Sequence, residues 1–203
     1  MWLTHGGNTK MTDIKSSITE THDRWHRGHV EPFWSKKSFS QLDYTHESFN
    51  NHQDVIKWKR QGYVHPESHY TGFLCDMRKP QPAWNKDIVE WFEKTYNVKD
   101  VGSSYYRMGT GVILPTHKDT YKRYRELFNV RLMDCVRVVV FLEDWRSGHI
   151  SEVDGIPITN WKAGDYIFWE SDTPHLAANV GLDKRFTLQL TGSINASNLR
   201  NTN

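Results

Sequence analysis

Apolar and polar positions change rhythm near residue 100. Before it, the chain is polar with scattered aromatics, and two stretches carry helical spacing. "SFNNHQDVIKWKRQGY" reads as a short helix, with Ser48 or Asn50 able to cap its start and Gly62 to end it. "PAWNKDIVEWFEKTY" is clearer: Trp84, Ile88, Trp91, Phe92 and Tyr96 recur three and four apart, one apolar stripe that needs a sheet to lie on. After residue 100 come short β-rich runs between turn signals. "VGSSYYRM" and "VILPTH" flank the Gly109–Gly111 punctuation. "CVRVVVFLEDW" is apolar almost throughout, as a central strand would be. "GHISEV" and "IPITNW" flank Asp154-Gly155, a strong hairpin signal. "WKAGDYIFWE", "PHLAANV" and "RFTLQLTGSI" complete the series. Short strands at regular spacing point to a jelly roll or barrel rather than βαβ units. The expected fold is α+β, with helices packed on a β-sandwich.

The 203 residues suit one domain with a peripheral extension. The expected division is an extension over 1–45 and a domain over 46–203, with the jelly-roll core at about 101–194. Net charge is only +2, so no global field argues for nucleic acid or an anionic membrane. No run approaches the length of a membrane helix, and the first residues lack the apolar run of a signal peptide. Cys75 and Cys135 form no disulfide framework, which fits a reducing, cytoplasmic setting. Eleven histidines draw attention to metal chemistry.

The stretch "ILPTHKDTYKRYRELF" places His117 and Asp119 two apart at the end of a strand, where both side chains take the same side. Alone, His-x-Asp is weak. His175 in a later strand, with Arg185 across a turn, strengthens it. Two histidines and a carboxylate on one face of an octahedral ion leave three positions open, the facial triad of non-haem Fe(II) oxygenases. An arginine one strand on supplies the fork of donors that a carboxylate needs.

These residues, "HKD" followed by "GDYIFWESDTPHLAANVGLDKRFTLQL", resemble the Fe(II)- and 2-oxoglutarate-dependent dioxygenases, over roughly residues 101–194. The resemblance implies a double-stranded β-helix core. It implies His117, Asp119 and His175 as iron ligands, and Arg185 and Thr187 on the far carboxylate of 2-oxoglutarate. Tyr106 would place a hydroxyl against the same co-substrate. It also implies dioxygen as co-substrate, ascorbate as a reductant in vitro, and hydroxylation of a C–H bond with release of succinate and carbon dioxide. The stretch from Trp161 to Leu190 is most similar to peptidyl hydroxylases of the aspartyl/asparaginyl and prolyl type, though some aspartyl/asparaginyl members lack the acidic ligand that Asp119 supplies here. Two alternatives stand beside this reading: a cupin-like metalloenzyme that does not use 2-oxoglutarate, and a non-catalytic binding barrel.

Other residues admit two readings each. Arg137 opens the apolar run; it either points inward to an anion or lies at an exposed strand end, and the second is the expectation. Asn179 either supports the metal shell or serves the sheet edge, the latter favoured. Trp169 and His149 are candidate pocket walls, and Asp165 serves a turn. His22, His26 and His29, and the pair His65 and His69, lack the residues to complete a metal site and read as ordinary histidines. Lys118, Lys122, Arg123, Arg125 and Arg131, interleaved with Tyr121 and Tyr124, either guide an anionic substrate or form a solvated helix face, the latter favoured. Single-stranded nucleic acid is a less favoured substrate.

Overall fold

The computed structural model describes residues 14–48, 53–65 and 70–194. Two of the sites just named, Asn50 and His69, lie outside the described residues.

The chain runs through β1 (Ser16–Thr21), β2 (Trp25–Val30), α1 (Lys36–Ser40), β3 (Thr45–Ser48), α2 (Gln53–Arg60), β4 (Thr71–Asp76), α3 (Asn85–Tyr96), β5 (Val98–Met108) and β6 (Val112–His117). It continues through α4 (Lys122–Phe128), β7 (Cys135–Phe141), β8 (His149–Val153), β9 (Ile156–Ile158), β10 (Asp165–Glu170), β11 (His175–Asn179) and β12 (Arg185–Ile194). The larger sheet has the order β1-β2-β10-β7-β12-β5-β4-β3, the smaller β6-β11-β8-β9. All pairings are antiparallel. From β5 onward the chain alternates between sheets: β5, β7, β10 and β12 lie in the large one, β6, β8, β9 and β11 in the small one. That winding is a double-stranded β-helix, the jelly-roll arrangement.

The apolar run in β7 is central, between β10 and β12. Its alternate residues Val136, Val138 and Val140 face outward into a cluster with Phe186, Leu188 and Leu190 of β12. Ile88, Trp91 and Phe92 of α3 belong to the same cluster, which explains the stripe on that helix. Both Ile88 and Phe92 are fully buried; burial of such a side chain contributes about 1.5–3 kcal/mol. The helix ends at Asn97, which takes a left-handed conformation (φ 49°) and donates its N–H to the Glu93 carbonyl. The helix lies so close to β12 that a Cβ on Gly192 would press on Val98 and Phe92.

The other face of the large sheet meets the small one. Val139, Phe141 and Ile167 pack there against Val153 and Ile158. The hairpin expected at Asp154-Gly155 is present: both residues have positive φ (52° and 78°), as a type I′ turn requires, and they join β8 to β9. Ahead of the core, β1 and β2 form a hairpin on the β10 edge. No helix among the described residues is long and apolar enough to cross a membrane.

Candidate metal centre and cavity

His117 closes β6 and His175 opens β11, and the two residues are direct cross-strand partners. Strand register therefore fixes the imidazoles side by side, with ring centroids 4.4 Å apart. Each ring is anchored from behind. Nδ1 of His117 lies 2.7 Å from the Pro115 carbonyl, and Nδ1 of His175 lies 3.0 Å from the Thr173 carbonyl. A carbonyl only accepts, so each Nδ1 carries the proton and each Nε2 is a free lone pair. Burial pushes the His175 pKa down to about 4, keeping it in the neutral, ligating form. Asp119 completes the group: its carboxylate oxygens lie 4.0 Å from His117 Nε2 and 3.6 Å from His175 Nε2. The three donor atoms lie within 4.8 Å of one another. Two imidazole nitrogens and a carboxylate this close together would hold one divalent ion. Trp169 covers His175 (4.7 Å between centroids), and Tyr70 and Trp58 approach His117 edge-on.

The three residues line a cavity of about 480 Å³ between the sheets. Its floor is the inner face of the large sheet, where β12 presents Arg185, Thr187, Gln189 and Thr191 in alternation. Arg185 is 5% exposed. It donates from Nη1 to the Ile150 carbonyl (2.8 Å) and from Nη2 to Ser151 Oγ (3.3 Å), and stacks over Phe141 and Trp161. Its Nε has no hydrogen-bond partner, and no described carboxylate pairs with it. Burial lowers its pKa to about 10, so it remains a cation at neutral pH. Thr187 lies across from Tyr106 in the β12–β5 register, and both line the cavity. The Tyr106 hydroxyl donates to the Thr71 carbonyl (2.7 Å). Its ring lies where a side chain on Gly72 would be, so only glycine fits there.

Arg137 corrects the expectation of an exposed strand end. It points into the cavity and donates from Nη1 to Asp119 Oδ2 at 2.8 Å, and from Nε and Nη2 to Thr191 Oγ1 at 3.2 Å. The anion that its inward position demands is the candidate metal ligand itself. The reason the orientation was not readable is physical. Val136 and Val138 on one face and Val139 and Phe141 on the other are all buried, so polarity does not alternate along β7. Ser151, which holds Arg185, was also missed, and Tyr121, expected only as part of the basic run, packs over Arg137 (4.8 Å). For Ser151 the signal was present in the alternating "HISEV" of β8.

Asn179 does not reach the metal group. It is fully buried and ties the β11–β12 turn, donating to the Met108 and Asp183 carbonyls and accepting from Gly181 N–H. Trp169 lines the cavity, whereas His149 does not; its Nε2 lies 3.0 Å from the Asp183 carbonyl and its ring stacks on Trp161. Asp165 accepts the Lys162 N–H at the turn before β10. His22, His26 and His29 diverge to Glu20, Tyr96 and Asp165 respectively. In the basic run, Lys118 pairs with Asp172, Arg123 with Glu47 and Arg131 with Asp134. The helix α4 buries no residue, yet Lys122, Arg123, Tyr124, Leu127 and Phe128 wall the cavity mouth.

No protein-family model and no curated protein matches this chain. Among solved structures it is similar to a prolyl-4-hydroxylase of Pseudomonas putida (12% identity, TM-score 0.49, covering 79% of this chain and 97% of that one). It is similar to the non-haem alpha-ketoglutarate-dependent carbocyclase SnoK from nogalamycin biosynthesis (12%, 0.46, 79% and 84%). It is also similar to a predicted oxalate decarboxylase of Thermotoga maritima (12%, 0.43, 77% and 96%).

Proposed function

We propose that the protein is an Fe(II)- and 2-oxoglutarate-dependent dioxygenase that hydroxylates a C–H bond of a peptide side chain or an amino acid. One observation carries this reading. The free Nε2 atoms of His117 and His175 and the Asp119 carboxylate converge in a cavity that also holds a buried arginine without a carboxylate partner. The donor set, two imidazoles and one carboxylate, suits Fe(II) with open positions. Arg185 has spent two of its five donors, so a fork remains for a remote carboxylate, with the Thr187 hydroxyl beside it. Iron with 2-oxoglutarate would supply the oxidising power, using dioxygen to convert the co-substrate to succinate and carbon dioxide and to deliver one oxygen atom to the C–H bond.

The chain's own residues bind and orient. Pro115 and Thr173 carbonyls hold the imidazoles in the ligating tautomer. Arg137 holds Asp119 Oδ2 and so fixes the carboxylate against the two imidazoles, with Oδ1 toward His117 and Oδ2 toward His175. The Trp169 ring shields His175 from water. The test is succinate formation from 2-oxoglutarate with Fe(II), ascorbate and air, for the wild type, His117→Ala and Arg185→Ala. Succinate from the wild type, lost in both variants, is the expected result.

A second reading has an observation of its own. Arg185 already bonds to Ile150 and Ser151 and stacks on two rings, as a purely structural arginine would. In a cupin-like metalloenzyme that does not use 2-oxoglutarate, metal binds but 2-oxoglutarate does not, and calorimetry on the metal-loaded protein separates the two.

A further inference from the structure

The cavity floor is ordered in transverse rows. Across four strands, Trp169 pairs with Arg137, Arg137 with Thr191, and Thr191 with Gly102. Two residues along β12, the next row joins Ile167, Val139, Gln189 and Ser104. Arg185 lies at the other end of β12, six residues from Thr191, or about 20 Å of strand. The polar floor thus carries a cation at each end, and only one end is spoken for by 2-oxoglutarate.

The Arg137 end carries buried donors without a completed hydrogen bond. Trp169 Nε1 and Tyr121 Oη face each other without completing a hydrogen bond, and Ser104 Oγ has no partner. Trp169 and Tyr121 are 5% and 6% exposed, and all three residues line the cavity. Arg137 has two N–H groups left after serving Asp119 and Thr191. Buried donors without acceptors are costly, which implies an acceptor that arrives with a ligand. Tyr121 also holds a left-handed backbone (φ 48°), rare for a bulky residue, and this strain sets its ring over Arg137. Charge points the same way. Arg137, Arg185 and a divalent ion, set against Asp119 and a dicarboxylate, leave the depth of the cavity one positive charge in excess. Toward solvent, Leu127 and Met77 line the mouth and are exposed.

We propose that the Trp169–Arg137–Thr191 row, capped by Tyr121, is the subsite for the prime substrate, and that it recognises a carboxylate on a compact molecule whose remainder is apolar or amide-like. Free ammonium is disfavoured beside Arg137 and a metal ion. N-acyl amino acids, or the carboxyl end of a peptide, fit this chemistry. This inference rests on the dioxygenase reading for its orientation, since 2-oxoglutarate is what leaves the Arg137 end vacant for substrate.

The test is calorimetry on full-length protein loaded with Fe(II) in the absence of dioxygen, with and without saturating 2-oxoglutarate. The probes are N-acetyl derivatives of glycine, alanine, leucine, phenylalanine and glutamine, each compared with its primary amide. At least one acid is expected to bind, and its amide to bind roughly tenfold or more weakly, as for hydrogen bonds to a charged acceptor. Tyr121→Phe, which removes one donor and no metal ligand, should weaken the acid by a similar factor and leave the amide and 2-oxoglutarate affinities where they were; Trp169→Phe should likewise weaken the acid. Equal binding of acids and amides, no binding by any probe, or indifference to both substitutions overturns the subsite. Absence of 2-oxoglutarate binding, with acid selectivity intact and sensitive to Tyr121→Phe, would instead sink the dioxygenase reading and retain the anion subsite.

Discussion

At the scale of single residues, the pair Arg137–Asp119 decides how the metal group is built. The side chains are 19% and 17% exposed, so water screens them little. Removing the cation leaves a largely buried carboxylate free to turn away from the imidazoles. Arg137→Gln is therefore expected to lower Fe(II) affinity by about 10–100-fold, the usual cost of losing a group that orients a ligand; competition with a metal indicator measures it. Gly72 offers a second check. Any side chain there displaces the Tyr106 ring, so Gly72→Ala should lower both thermal stability and 2-oxoglutarate affinity in a dye-melting assay with and without the co-substrate. The ligand residues themselves were legible because their spacing and strand context are distinctive. Arg137 was not, because burial on both faces of β7 erases the alternation that reveals direction.

At the scale of elements, α3 and the hairpin β1–β2 both brace the large sheet and touch each other. Phe92 is fully buried in the α3 contact, and Phe92→Ala should cost about 3–5 kcal/mol in chemical denaturation. The hairpin is tied to the helix through His26, whose Nε2 lies 2.7 Å from the Tyr96 hydroxyl. Burial lowers the His26 pKa from 6.5 to about 4. The folded state refuses a proton that the unfolded chain accepts, so stability is full above pH 6.5 and falls as the pH drops toward 4. A His26→Gln variant should show a shallower loss over that window than the wild type. The stripe on α3 and the Asp154-Gly155 turn were readable, since each is a local pattern with one structural answer. The strands within residues 16–30 were not, because β1 is exposed along nearly its whole length and carries no alternating apolar face.

At the scale of the molecule, the winding of β5 to β12 carries the two histidines, Asp119 and both inward arginines to one cavity from four strands and one loop. Long-range pairing of this kind is invisible to any window of sequence; only the order and spacing of the residues hinted at it. A metal that binds the folded form alone stabilises it by mass action, about 2.7 kcal/mol at a hundred times the dissociation constant. Fe(II) without dioxygen should therefore raise the melting temperature of the wild type and leave His175→Ala unchanged.

The cross-strand placement of His117 against His175 has a kinetic consequence. Neither imidazole has its neighbour until β6 and β11 meet, and that meeting closes a loop containing β7 to β10. Such non-local closure comes late and slowly in β-rich chains. Acquisition of tight metal binding then reports on the closing of the small sheet, and a stopped-flow refolding experiment with a colorimetric divalent ion should show the ligand-field signal lagging the early burial of tryptophan.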